Sequence, residues 1–156
     1  MKRAVLLAMV TALAFGAVAP AASAQPTNFR AVPSGGNEVP AVDTLARGVA
    51  TFQLNDEGTE LTYRLVVANI DNVVAAHIHV AAPGVNGPVV AFLFTGAPSG
   101  RVNGVLAEGT ITAANLVGPL AGHPLSDLVA AMEAGNTYAN AHTVAHPGGE
   151  IRGQIF

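Results

Sequence analysis

From Phe29 to Phe156, apolar and polar residues alternate in short runs, and each run closes on a cluster of Gly, Pro or Asn. In Arg47–Asn55, Ala50, Phe52 and Leu54 fall on one face of an extended chain. In Glu60–Ala68, Leu61, Tyr63, Leu65 and Val67 do the same. Side chains two apart on a strand point the same way, so each run has one face for a core and one for solvent. "NDEG" (Asn55–Gly58) joins these two as a hairpin turn. Phe29–Val32, Val73–Val80, Val89–Phe94, Val105–Ile111, Thr137–Thr143 and Glu150–Phe156 bring the strands to eight. Short, evenly spaced strands predict an all-β fold, an antiparallel Greek-key β-sandwich or barrel.

One segment breaks the alternation. In "HPLSDLVAAMEAG" (His123–Gly135), Leu128, Val129 and Met132 follow helical spacing, with Ser126 as the expected cap and Gly135 past the end. It is predicted to be one short surface helix.

The first 24 residues stand apart. Lys2 and Arg3 precede an apolar run from Ala4 to Val18, and Ala22-Ser23-Ala24 is a small-residue cleavage pattern. This reads as a secretory signal peptide, removed between Ala24 and Gln25, with the protein exported to the periplasm or beyond the cell. Residues 25–156 are expected to form a single domain with no membrane span. Removal of the leader leaves five arginines, no lysine and ten acids, a formal balance of −5. That balance argues against nucleic acid as a partner. The absence of cysteine excludes disulfides, thiolate metal sites and thiol nucleophiles.

The remaining chemistry lies in the histidines. On Val73–Val80, Val74, Ala76, Ile78 and Val80 take the core face, so His77 and His79 share the other, with about 7 Å between their Cα atoms. By the same alternation Tyr138, Asn140 and His142 face outward on one strand, and Glu150, Arg152 and Gln154 on another. Three imidazoles on a stiff sheet suit copper or zinc. They would then have to converge within about 4 Å, and binding would weaken as pH falls through about 6.5. The alternative is a set of solvent-facing polar groups bonded to one another and to Glu150. His123 and His146 precede prolines in loops and read as ordinary loop residues, with His146 the candidate for a fourth ligand. Glu38, beside Pro40, is expected to pin its loop through Arg152 or a backbone amide. Arg152 itself would pair with Glu150 or another acid. No Gly-x-Ser-x-Gly elbow or phosphate-binding loop is present, and "GVNGP" (Gly84–Pro88) reads as a turn.

"NEVP" (Asn37–Pro40), "AAHIHVAAPGVNGPVV" (Ala75–Val90), "GTITAANL" (Gly109–Leu116), "LVAAMEAGNTYANAHT" (Leu128–Thr143) and "GEIRGQI" (Gly149–Ile155) resemble, in order, the blocks of the CHRD domain family. The chain departs from that pattern at Val80-Ala81-Ala82 and in "YANAHT". The resemblance implies a Greek-key β-sandwich related to the copper-zinc superoxide dismutases. By that analogy His77, His79 and His142 would be copper ligands. No bridging histidine, zinc loop or structural disulfide has a counterpart here, so a weak dismutase-like activity is the single enzymatic candidate and ranks below binding. Two non-enzymatic readings lead. One is an exported metal-binding domain; the other is a module contacting a protein or polymer, with structural histidines.

Overall fold

The computed structural model describes residues 28–156; the expected signal peptide and its cleavage point lie outside them. Eight strands occur in order: β1 (Asn28–Ala31), β2 (Arg47–Leu54), β3 (Leu61–Asp71), β4 (Val73–Val80), β5 (Val89–Thr95), β6 (Arg101–Ile111), β7 (Thr137–Thr143) and β8 (Ile151–Gln154). They form two four-stranded sheets, ordered β1-β2-β3-β6 and β5-β4-β7-β8, antiparallel throughout. The chain crosses between sheets after β3, β5 and β6, which sets β6 beside β3 and β7 beside β4. This is the Greek-key sandwich the alternation predicts.

Burial follows the two-residue period where the ladders are regular. Ala50, Phe52 and Leu54 of β2, Leu61, Leu65 and Val67 of β3, and Ala76 and Ile78 of β4 enter one shared core. Each fully buried Leu, Ile or Phe contributes roughly 1.5–3 kcal/mol relative to exposure. In β4 a register irregularity between Val73 and Ala75 shifts the pattern, so Val73 rather than Val74 is buried at the strand's start. β6 begins at Arg101, four residues before the expected Val105. Asn103-Gly104 reads locally as a turn but sits in a bulge against β3, where the Asn69 N–H donates to Asn103 Oδ1.

Two hydrogen-bonded contacts close one side of the sandwich. Arg30 and Phe156 exchange backbone N–H···O bonds of 2.7 and 3.0 Å, and Ser34 and Arg152 exchange a pair of 3.0 and 3.1 Å. Both pairs share one antiparallel register, so β1 edges against the β8 end and carries the outer surface from one sheet to the other.

The helix α1 (Leu125–Glu133) departs from expectation at its start. Pro124, not Ser126, is its N-cap, and Ser126 lies within the first turn. The fixed φ of Pro124 lets the helix begin directly after it, and this brings Leu125 onto the face of Leu128, Val129 and Met132. All four are buried, so the helix is a lid on the core as well as a surface element. Its end is as expected. Gly135, at φ +66°, donates to Met132 O, and Asn136 donates to Ala131 O. That pair of bonds is the Schellman closure, which needs a left-handed residue at Gly135.

Candidate metal centre

β4 is an inner strand, flanked by β5 and β7, and register decides what its histidines meet. His77 lies opposite Asn140 on β7 and Phe92 on β5. His79 lies opposite Tyr138, and Ala75 opposite His142. One face therefore collects His77, His79, Tyr138, Asn140 and His142. His77 Nδ1 stands 3.1 Å from His142 Nε2. One nitrogen of each of the three imidazoles lies within 4.8 Å of the others. That is roughly an ångström wider than a shared ion with metal–nitrogen bonds near 2 Å requires. The convergence within about 4 Å expected from the sequence is therefore not reached in this arrangement.

Hydrogen bonding determines which nitrogens are free. His79 Nδ1 is 2.8 Å from the Gly87 carbonyl, and His142 Nδ1 is 2.9 Å from the Pro147 carbonyl. A carbonyl oxygen only accepts, so both Nδ1 atoms carry hydrogens and both Nε2 atoms present lone pairs inward. His142 Nε2 therefore accepts from His77 Nδ1–H. The Asn140 carboxamide lies between the rings, its Oδ1 position 3.1 Å from His79 Nε2 and 3.2 Å from His142 Nε2. The His142 lone pair is met by His77 and that of His79 still needs a donor, so the NH2 end of the amide is the partner His79 requires. Ligating histidines commonly donate their second ring nitrogen to a carbonyl, which fixes tautomer and ring orientation.

The face is not solvent-bathed, as expected from alternation alone. His79, Tyr138 and Asn140 are buried, and His77 and His142 are half-buried. The β4–β5 loop covers them. Tyr138 stacks on His79 with ring centroids 4.7 Å apart and planes 5° from parallel, while the Arg152 guanidinium carbon lies 3.4 Å from the Tyr138 ring centroid. All three layers of this stack grip the loop. Arg152 donates to Val85 O and Asn86 Oδ1, Tyr138 Oη accepts from the Gly87 N–H, and His79 donates to Gly87 O. On the other side Phe92 meets His77 edge-on at 4.9 Å.

Burial lowers the pKa of all three imidazoles. His77 is pushed down to about 4, by desolvation first and then by the neighbouring His142 and His79. His79 and His142 are lowered by burial against the opposing pull of the Gly87 and Pro147 hydrogen bonds. The rings are neutral at pH 7, and the loss of ligand lone pairs to protons sets in below the pH 6.5 expected from free imidazole.

The other sequence-expected residues fall nearby but in different roles. Glu150 does not touch the histidines: its carboxylate accepts from Thr44 and Thr143, both at 2.7 Å, and ties the β7–β8 turn to the segment before β2. Among the described residues Arg152 forms no ion pair, its partners being the loop and Tyr138. Glu38 is buried against Gly149 with Oε1 unpartnered, and burial raises its pKa to about 7 against the pull of Arg152 and the Val39 amide. It feels Arg152 through space rather than pairing with it. His146 is outside the three-histidine group and contributes backbone bonds to Thr143 and Gly149. His123 pairs with Asp127 at 2.7 Å on the helix. Sequence reasoning missed the partners Gly87 and Pro147, which act through backbone carbonyls that any residue carries. Tyr138 was visible as a face-mate of His142, but nothing in the sequence marked it as the middle of a stack.

The CHRD domain family model matches residues 29–155. No curated protein and no solved structure matches the chain. Among the described residues no helix is long and apolar enough to cross a membrane.

Proposed function

The chain belongs to the CHRD domain family, which indicates an extracellular module, and from that premise we propose that it is an exported protein that holds a copper or zinc ion. His77 Nδ1, His79 Nε2 and His142 Nε2 are the proposed ligands, with the His77 ring changing to the tautomer that carries its hydrogen on Nε2 when the ion enters. Residues 1–24 act as the signal peptide, cleaved near Ala24, and residues 25–156 as the mature domain. The observation that carries this reading is the commitment of the His79 and His142 Nδ1 hydrogens to the Gly87 and Pro147 carbonyls. It turns two lone pairs toward the ring nitrogen of His77. Two neutral imidazoles with their acceptors aimed at the ring nitrogen of a third are the arrangement that a shared ion would use.

An all-imidazole donor set with no sulfur suits Zn(II) or Cu(II). A fourth position is left for water or for His146. Asn140 hydrogen-bonds the ring nitrogens and would withdraw as an ion enters. The role is binding, for storage or delivery, on a support stiff enough to pay for ligand positioning in advance.

Calorimetric titration of the metal-stripped protein with Cu(II) and with Zn(II), beside His77→Ala and His142→Ala, tests this. One ion per chain, lost in both variants, is expected. Absence of binding, or binding indifferent to His142, would leave a structural histidine cluster and favour the protein- or polymer-contact reading.

A further inference from the structure

A second feature lies on the outer surface, away from the histidine nitrogens. The β4–β5 loop, held over the sheet by Arg152, leaves a cleft of about 470 Å³ between Pro83-Gly84 and a floor that includes Arg30, Arg152, Gln154 and Phe156. Asn86 Nδ2 donates to Val39 O at 2.8 Å, which fastens the loop to the segment after β1 as well. Beyond Arg30 and Phe156 the cleft runs into a shallower cavity of about 530 Å³ across β1, β2 and β3, floored by Thr51, Gln53, Thr62 and Arg64. Because Arg30 and Phe156 line both, the two form one groove from β8 to β3. Three strand spacings make it about 14 Å long at the floor.

The groove's chemistry differs from that of the whole chain. No acid lines either cavity, although acids outnumber arginines two to one in residues 25–156. Arg152 is 2% exposed and its hydrogen-bond partners are neutral, so its charge reaches the groove through space, where Glu38 also feels it. Arg30 is exposed and makes no ion pair among the described residues. Arg64, at the far end, is shared with Glu108 at 2.8 Å. Between the cations lie side-chain amides and hydroxyls, and Phe156 presents its ring at 71% exposure. Widely spaced cations, amide and hydroxyl partners and a bare aromatic ring match a sugar chain that bears carboxylates. The ring takes a sugar's C–H face, the polar groups its hydroxyls. Nucleic acid would need a denser row of cations.

We propose that this groove binds an acidic polysaccharide, with Arg30 facing its carboxylates, the buried Arg152 adding positive charge beneath the floor, and Phe156 carrying one sugar ring. The site does not depend on the metal, and its occupant is a polymer of the cell surface or matrix that an extracellular domain would meet. The β4–β5 loop is common to both sites, its Gly87 end fixed by His79 and its Pro83-Gly84 end forming the groove wall.

Titration of the metal-stripped protein with a short oligogalacturonate, beside its fully methyl-esterified counterpart, isolates charge from shape. Saturable binding of the acid form is expected, weakened about tenfold or more by esterification, by Arg30→Glu and by Phe156→Ala. Binding should also weaken with added salt and be unchanged in His77→Ala. Arg30 and Phe156 are exposed, so both variants should keep the parent circular dichroism. No binding, equal binding of the two forms, or indifference to Arg30→Glu would overturn the proposal. Tighter binding of a short polyphosphate of equal charge would overturn the assignment to a glycan. Loss of oligogalacturonate binding in His77→Ala would show that the histidines, not the groove, are its site.

Discussion

The Arg152 guanidinium covers one face of the Tyr138 ring, at 3.4 Å from its centroid, and His79 stacks on the ring at 4.7 Å. The three side chains come from β8, β7 and β4, adjacent strands of one sheet. Cation, phenol and imidazole together hold three consecutive loop residues, Val85 to Gly87. Tyr138→Phe should cost only the hydrogen bond from Gly87, about 1 kcal/mol. Tyr138→Ala should cost about 3–5 kcal/mol through lost packing and stacking. Urea unfolding measures both, and hydrogen exchange at Val85–Gly87 should accelerate more in the alanine variant.

Gly87 sits so close to β4 that a Cβ there would collide with the Val80 carbonyl and the Ala81 side chain. Backbone cannot yield cheaply on a strand, so Gly87→Ala should displace the loop and take the acceptor of His79 Nδ1 with it. A loss of about 2 kcal/mol or more is expected. Metal affinity should fall in the same variant although no ligand has changed. Unaltered stability would show that the loop has room to move.

Metal binding should appear as stabilisation. An ion that binds only the folded chain adds about 2.7 kcal/mol when its free concentration is a hundred times Kd. Thermal scans with Zn(II) should show this rise in the parent and none in His142→Ala. Asn140→Ala should lower the metal-free melting temperature, since the inward lone pair of His79 loses its donor. It should leave the zinc-induced rise in place.

Without metal, acid should unfold the protein through these rings. Their folded pKa values lie below the unfolded 6.5, to about 4 for His77, so the unfolded chain binds protons first. The stability they support is whole above pH 6.5 and is lost as pH falls through about 4. Chelated samples melted at pH 7, 6, 5 and 4 should lose stability stepwise, and His77→Asn should flatten part of that slope. A flat acid limb in the parent would contradict the burial of the cluster.

Glu38 has the opposite sign. Its carboxyl titrates near 7 in the folded protein against about 4.5 unfolded. Folding therefore favours the protonated form, and the contribution is full below pH 4.5 and lost as pH rises through about 7. The loss amounts to order 3 kcal/mol at most. Glu38→Gln, which keeps the shape without the charge, should match the parent at pH 5 and exceed it at pH 8.5.

Much of this architecture is legible in the chain. A period of two allows one buried face per run, so Phe52, Leu65 and Ile78 could be assigned inward from spacing alone. The same parity put His77 with His79, and Tyr138 with Asn140 and His142. The misread elements all turn on non-local packing. The strand expected from Val105 starts at Arg101 instead, because Asn103-Gly104 is taken into a bulge against β3. Ser126 is the better cap by residue type, yet the helix started earlier because Leu125 had core to enter.

The sequence by itself determined which residues share a face, because alternation is a property of the extended backbone and needs no partner strand. Only the tertiary structure decided that β4, β7 and β8 lie side by side, that the outer face is roofed by the β4–β5 loop, and that Gly87 and Pro147 lend their carbonyls. Those facts depend on strand order and on the path of loops. Both are set by the packing of the whole core, and the carbonyls involved are the same in every residue.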